Sequence, residues 1–157
     1  MISCCLFFRS KVWYLKQEIG QSGYSCIFDN ERRKSRPLSL SEYVKAGHVL
    51  TSFSGDHKGV VDTALTKLKR KRRIVVATQE FSSVPFYLHG TDLIVTLPTY
   101  AARVYAKRLG LALSPLPFPM PRLTLSLLWH ARFTSDAGHA WFRNLVRMTA
   151  KQTLLRD

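Results

Sequence analysis

Short apolar runs of strand length alternate along the chain with segments whose apolar residues recur at helical spacing. The runs predicted to be strands cover residues 24–28, 48–53, 73–78, 93–97 and 111–116. The segments predicted to be helices cover residues 40–46, 59–69, from the Ser82–Ser83 pair to near Gly90, and 99–109. Strands that are apolar on both faces and separated by helices indicate a parallel sheet covered on two sides. The predicted class is therefore α/β.

The ends of two predicted helices carry recognisable stop and start signals. Ser39 and Glu42 have the spacing of a capping box, in which each side chain bonds the other's backbone amide. Gly47 and Gly110 follow predicted helices, where a left-handed glycine often ends the helix.

The helix predicted at 99–109 raises the question of what its cations do. Its apolar positions are expected to face the sheet, and they are Ala101, Val104, Tyr105 and Leu109. Three cations lie on the opposite side, namely Arg103, Lys107 and Arg108. We therefore interpret this helix as a pocket wall with a solvated basic flank.

The C-terminal part has a different pattern. Prolines at 115, 117, 119 and 121 exclude a helix and predict an extended crossing segment. Residues 122–130 then alternate as a half-buried strand. Ser135–Asp136 is predicted to cap a last helix whose buried stripe is Ala137, Trp141, Leu145 and Met148.

Charge is the unusual feature of the composition. The 157 residues include 24 Lys and Arg against 10 Asp and Glu, and such an excess attracts polyanions of any kind. The run KLKRKRR at residues 67–73 matches a nucleic-acid patch, but it also suits a helix C-terminus whose cations complement the helix dipole. Because no aromatic residue adjoins the run for base stacking, the solvated helix end is the favoured interpretation.

Other function classes find little support in the sequence. Cys4, Cys5 and Cys26 form neither a disulfide framework nor a zinc motif, and a reducing cytoplasm is the simplest setting. The longest apolar runs are too short to span a membrane. The residues 55–59 resemble a phosphate loop only loosely, and neither GxSxG nor HExxH occurs. We expect no enzyme activity, catalytic residue, metal or cofactor.

Binding remains, and its expected place is the edge where the predicted parallel strands end. Ligands of open α/β sheets settle at the carboxyl ends of strands, where helix N-termini offer amide donors. The candidate residues are Ser54, Gly55, Glu80, Phe81, Ser82, Pro98 and Thr99. Phe81 would supply an aromatic wall, and Ser54 and Ser82 would supply hydroxyl donors. The alternative, that these are ordinary caps and packing residues, stays open at this point.

Several segments together resemble a known family. They are GHVL at 47–50, GVVDTAL at 59–65, RRIVVATQEFSSVPFYL at 72–88, GTDLIVTLP at 90–98, and the ending at 115–146. That ending contains Trp129-His130-x-Arg132 and then Asp136-x-x-His139-x-Trp141-x-Arg143. The set resembles the effector-binding domain of LysR-type transcriptional regulators, in the branch that governs aromatic degradation and nodulation genes.

The resemblance implies a periplasmic-binding-protein-like fold of type II, with a parallel or mixed sheet flanked by helices and a second, incomplete lobe. Residues 1–29 would be a remnant of the first lobe and a crossing strand, 30–113 the second lobe, and 114–157 the return crossing and the C-terminal strand and helix of the first lobe. A small organic co-inducer would lie between the lobes. Glu80 and Phe81 match the motif lining that cleft, although His is common at position 80 in close relatives. Arg122, near the return crossing, would serve an aromatic carboxylate.

The resemblance also sets expectations for partners. No helix-turn-helix precedes Tyr24, so we expect the C-terminal half of a regulator, without sequence-specific DNA binding of its own. We expect the intact regulator to be a cytoplasmic homo-oligomer that does not associate with a membrane. It would bind DNA only through a helix-turn-helix that this chain lacks. An incomplete first lobe would expose apolar surface and promote association. The alternative function is a basic protein that associates with nucleic acid through residues 67–73.

Overall fold

The computed structural model describes residues 13–33, 37–52 and 58–154, and these divide into two compact units. Unit 1 combines the described parts of Met1–Ser22 and Arg122–Asp157, and unit 2 is the described part of Gly23–Pro121. The strands are β1 (Tyr14–Ser22), β2 (Tyr24–Phe28), β3 (Gly47–Thr51), β4 (Arg73–Thr78), β5 (Ile94–Pro98), β6 (Ala112–Pro115) and β7 (Leu123–His130). The helices are α1 (Leu40–Lys45), α2 (Val60–Lys67), α3 (Thr99–Leu109) and α4 (Ala137–Leu154), with 3-10 turns at Val84–Tyr87 and Ala131–Phe133.

Unit 2 is built on a five-stranded mixed sheet in the order β4-β3-β5-β2-β6. β3 runs parallel to both β4 and β5, whereas β2 is antiparallel to both β5 and β6. The α/β class and a mixed sheet flanked by helices are thus confirmed.

Alternating side chains of the sheet feed two separate cores, one on each face. One core joins the sheet to α1, α2 and the segment after β6, and its buried members include Cys26, Phe28, Tyr43, Leu65, Ile94 and Phe118. The other joins it to α3 and the 3-10 turn, and its buried members include Ile27, Val49, Val84, Leu88, Leu97 and Ala102. The sheet is therefore covered on two sides, as the apolar runs predict.

The edge strand β4 is only partly covered. β4 was expected to be buried on both faces, but alternate residues along it are exposed, and Val75 is 47% exposed. The reason is its position, because an edge strand with one neighbour is less completely enclosed than a central one.

The helix signals are largely confirmed. Ser39 and Glu42 form the predicted capping box, with the Glu42 amide donating to Ser39 Oγ at 3.2 Å and the Ser39 amide donating to Glu42 Oε2 at 2.7 Å. Gly110 ends α3 with φ of 65°. Gly47 was assigned the wrong role, since it begins β3. A Cβ there would lie 2.8 Å from both Leu93 Cδ2 and Val75 Cγ2, so close packing accounts for the glycine.

Two helix predictions need correction. The segment after Ser82–Ser83 forms only the 3-10 turn Val84–Tyr87, held by amides of Phe86 and Leu88 that each donate three residues back. In α3 the predicted sheet-facing residues Tyr105 and Leu109 are confirmed, but Ala101 and Val104 are wrong. Its sheet-facing residues are Ala102, Tyr105, Ala106 and Leu109. Val104 is 44% exposed, because the helical repeat from Ala102 turns it away.

Unit 1 contains an antiparallel pair, β1 with β7, and the helix α4, which lies against β1. Asp136 caps α4 as predicted, its carboxylate accepting the His139 amide at 2.6 Å. The predicted buried stripe of α4 is wrong. Trp141, Leu145 and Met148 are 68%, 44% and 53% exposed. A two-stranded sheet has too little apolar face to cover such a stripe.

Within the described residues, no helix combines the length and the apolar character needed to cross a bilayer.

Candidate functional site

The carboxyl ends of three parallel strands meet at one edge of the unit 2 sheet. β3 lies between β4 and β5 and runs parallel to both, so Thr51, Thr78 and Pro98 end at that same edge. The Ser52 amide donates to the Thr78 carbonyl at 2.9 Å, which continues the pairing just past the strand ends. β2 starts at this edge, because Tyr24 pairs with Pro98. This carboxyl edge is where the fold would place a ligand.

Thr51, at the centre of the carboxyl edge, carries an unpaired polar atom. Its Oγ1 is buried and has no hydrogen-bond partner among the described residues. A buried hydroxyl without a partner costs free energy, which makes Thr51 Oγ1 a candidate hydrogen-bonding group for a ligand at this edge. Thr51 is not among the residues predicted from the sequence, because only the sheet order shows that it lies between the other two strand ends.

The loop after β4 is held by hydrogen bonds of its own. Thr78 Oγ1 lies 3.1 Å from Ser83 Oγ and accepts the Glu80 amide at 3.2 Å, and Ser83 Oγ donates to the Glu80 carbonyl at 3.0 Å. Glu80 and Ser82 are exposed, whereas Phe81 is half-buried against the core beneath α3. Tyr105 in α3 donates its hydroxyl to the Phe81 carbonyl at 3.3 Å. The loop is thus positioned by both strand and helix.

The start of α3 is tied to the neighbouring strand. The Thr99 amide donates to the Gly23 carbonyl at 3.0 Å, and Thr99 Oγ1 lies 3.0 Å from Ser25 Oγ. The Thr99 amide is therefore already used and does not offer itself to an anion. Pro98 supplies no side-chain cap to the helix.

The structure brings part of the predicted site together. Glu80, Phe81 and Ser82 follow β4, Pro98 ends β5 and Thr99 begins α3, so both groups lie at the carboxyl edge. Ser54 and Gly55 lie outside the described residues. Arg122 belongs to unit 1 and is exposed.

A buried polar cluster lies under the other face of the sheet, and sequence reasoning missed it. Arg72 donates from Nε and Nη2 to the two carboxylate oxygens of Asp62, both at 2.8 Å, and its side chain is only 2% exposed. Burial tends to raise the pKa of Asp62, but the Arg72 and Gly59 donors and the Arg72 charge together lower it. Arg72 stands in the basic run, yet it is an internal ion-pair partner and not a solvated cation.

Tyr43 and His48 extend this cluster into the core. The Tyr43 hydroxyl lies 2.7 Å from Thr96 Oγ1, and His48 Nε2 lies 2.7 Å from the Tyr43 carbonyl. A carbonyl only accepts, so His48 Nε2 carries a proton in this hydrogen bond. Burial lowers the pKa of His48 to about 4 and raises that of Tyr43 to about 12. Burial likewise raises the pKa of the Cys26 thiol to about 12, which leaves it protonated.

These groups lie in the interior of unit 2, away from the carboxyl edge. Among the described residues, no three His, Cys, Asp or Glu side chains cluster to hold a metal.

Comparison with known proteins gives the following matches. No protein-family model matches the chain. The chain is 29% identical to the HTH-type transcriptional activator NahR of Pseudomonas putida over 85% of its own length and 45% of NahR. It is 33% identical to nodulation protein D 1 of Sinorhizobium fredii, over 82% of the chain and 41% of that protein. The chain thus spans less than half the length of these relatives, of which NahR is named as a transcriptional activator.

Solved structures match more completely. The regulatory domain of MexT, a transcriptional activator in Pseudomonas aeruginosa, superposes with a TM-score of 0.79 at 31% identity, over 87% of this chain and 68% of that one. The effector-binding domain of QuiR in complex with shikimate superposes with a TM-score of 0.71 over 96% of this chain and 72% of that one. Its 8% identity shows a shared fold alone.

The fold and its carboxyl edge are those of a periplasmic-binding-protein-like regulatory domain. The chain belongs to the LysR-type transcriptional regulators and matches their effector-binding region, as the sequence segments indicate.

Proposed function

We propose that this chain is the small-molecule effector-binding domain of a LysR-type regulator and that its effector binds at the carboxyl edge of the unit 2 sheet. The observation that carries the proposal is the buried Thr51 hydroxyl between the ends of β4 and β5, which has no hydrogen-bond partner among the described residues. The family match supports it independently, because that match is to regulatory domains.

The groups at the carboxyl edge favour a cyclic, hydroxylated or aromatic acid. Phe81 offers one ring face that is only half-buried, and Thr51 and Ser82 offer hydroxyls that donate or accept. Glu80 repels a carboxylate, but it accepts a hydrogen bond from a ligand hydroxyl. A ligand carboxylate would accept hydrogen bonds from the Thr51 and Ser82 hydroxyls, and the role of Arg122, which lies in unit 1, stays a prediction from the sequence. Shikimate, the ligand of QuiR, has this combination of ring, hydroxyls and carboxylate and is a suitable first probe.

The proposed mechanism is a population shift. An effector that binds one arrangement of the domain more tightly than another favours that arrangement by its differential affinity. In the intact regulator the shift would change how an oligomer holds DNA through its helix-turn-helix. The proposal places the chain in the cytoplasm, where the DNA of its bacterial relatives lies.

The test is isothermal titration of the chain with shikimate and a panel of aromatic acids. Thr51→Val keeps the side-chain shape and removes the hydroxyl, so we expect binding to weaken by roughly three- to tenfold, the worth of one net hydrogen bond. The free protein should be at least as stable as wild type, because the unpaired hydroxyl is gone. Thr63→Val, on the exposed face of α2, is the matched control and should leave the affinity unchanged.

Two further variants test the proposed roles of Phe81, the aromatic wall, and Glu80, the acidic residue, separately. Phe81→Ala should weaken binding, whereas Phe86→Ala, at a position 73% exposed on the 3-10 turn, should not. Glu80→Gln should strengthen binding of simple carboxylates, with Glu31→Gln as the control of equal charge change. No saturable binding across the panel, or equal losses in the site and control variants, would refute the proposed site.

A further inference from the structure

The connection between α2 and β4 carries a dense basic surface outside the carboxyl edge. We define the basic patch as Lys58, Lys69, Arg70 and Lys71, which are all exposed. None of these four forms an ion pair within the described residues. The acid that stands beside them, Asp62, is already neutralised by the buried Arg72. Within the part of the chain that the structure describes, no carboxylate neutralises the patch.

Two adjacent surface depressions lie at the basic patch and share a wall made of Thr66, Arg70 and Lys71. One is about 440 Å³ and is also lined by Val44 and Lys69. The other is about 280 Å³, and Lys58 and the Arg72–Asp62 pair are among its lining residues. Arg70 and Lys71 thus reach both depressions and are the centre of the patch.

The basic patch lies at the C-terminal end of α2. Lys69 has φ of 54°, a left-handed conformation that glycine adopts more readily. Its amide donates to the Thr66 carbonyl at 3.0 Å, and the Arg70 amide donates to the Leu65 carbonyl at 2.9 Å, which completes a Schellman turn after α2. This turn fixes the backbone that carries Lys69, Arg70 and Lys71 at the surface.

The fixed donors around the depressions are already used. The Lys69 and Arg70 amides close the turn, and the Thr66 hydroxyl donates to the Asp62 carbonyl at 2.8 Å. A single small anion would therefore find mobile cations but no rigid cradle. Among the described residues, no aromatic side chain lines either depression, so none of them offers a ring to stack on an unpaired base. A row of mobile cations on an open surface suits the repeated phosphates of a double helix.

We propose that the basic patch binds the phosphate backbone of duplex nucleic acid without reading its sequence. This site is separate from the carboxyl edge and holds whether or not the effector proposal does. It adds a charge-dependent contact to a chain whose relatives are named as transcriptional activators.

The test compares two charge-matched double variants of the full chain by fluorescence anisotropy with a short duplex of random sequence. Arg70→Gln/Lys71→Gln removes the centre of the patch, and Lys107→Gln/Arg108→Gln removes one Lys and one Arg from the exposed end of α3. With four phosphate contacts, wild-type affinity should fall roughly a hundredfold between about 50 and about 200 mM salt. The patch variant should lose two contacts and fall only about tenfold, whereas the α3 variant should behave as wild type.

Equal salt slopes in the two double variants would overturn the assignment to the basic patch. Equal or tighter binding of a single-stranded oligonucleotide, or of vesicles with anionic headgroups, would overturn the choice of a duplex as partner. Effector titrations of the patch variant should match wild type, so failure of either proposal is distinguishable from failure of the other.

Discussion

Replacing Arg72 tests whether the ion pair beneath the sheet stabilises unit 2. Arg72→Met keeps most of the side-chain volume but leaves the Asp62 carboxylate without its two donors at 2.8 Å. Breaking a buried pair by removing one partner typically costs about 3–5 kcal/mol. Asp62 is 17% exposed and retains the Gly59 amide at 2.7 Å, so we expect the lower value, about 3 kcal/mol.

The cost should depend on pH with a definite sign. The folded-state pKa of Asp62 is lowered from its usual 3.8, so the pair contributes stability that is fully present above that pH. The contribution is lost as the pH falls through the lower, folded-state pKa. The difference in unfolding free energy between Arg72→Met and wild type should therefore be largest near neutral pH and should shrink in strong acid.

The assay is urea unfolding followed by far-ultraviolet circular dichroism. All three tryptophans, Trp13, Trp129 and Trp141, lie in unit 1, so fluorescence gives a separate signal from that unit. Lys71→Met is the matched control, and as an exposed substitution it should change stability by no more than about 0.5 kcal/mol. If Arg72→Met costs no more than the control, or adds without coupling to Asp62→Asn, the ion pair does not stabilise the fold as described.

Three other predictions follow from buried or exposed positions. Because burial lowers the pKa of His48 to about 4, stability should fall as the pH drops from 6.5 toward 4, and a denaturation series on His48→Gln should show a flatter profile. Gly47→Ala should cost about 1–3 kcal/mol through overpacking, whereas Gly138→Ala in α4, where a Cβ meets its nearest atom at 3.5 Å, should not destabilise in the same melts. Trp141→Lys/Met148→Lys should reduce self-association in sedimentation velocity, because both side chains are largely exposed, and unchanged association would place the contact elsewhere.

The sequence predicts the elements of unit 2 well because local signals there agree with the tertiary structure. The strands at 24–28 and 73–78 and the helix at 99–109 have the predicted bounds, since apolar runs and the closing Gly110 mark them. The buried face of α3 was harder to place. Ala101 and Ala102 are chemically alike, so only packing against the sheet decides which one is buried.

Only some residues of the site could be predicted from local sequence signals. Glu80 and Pro98 were predicted from their places after strands, and that reasoning needs only the parallel direction of the sheet. Thr51 and Arg72 could be identified only from the three-dimensional structure. Thr51 is one of several threonines at strand ends, and Arg72 is one of six cations in seven residues, so nothing in composition distinguishes the buried member. Which cation is buried depends on which side chain contacts Asp62 of α2.

The pairing of β1 with β7 also constrains how the chain is made. Tyr14 pairs with His130, and β2 pairs with both β5 and β6, so β1 and β2 leave the ribosome well before the strands with which they pair. Contacts this distant in sequence slow folding and leave unpaired strands open to chaperones and to other nascent chains in the meantime. The rate of translation through the residues between β1 and β7 therefore sets how long β1 stays unpaired.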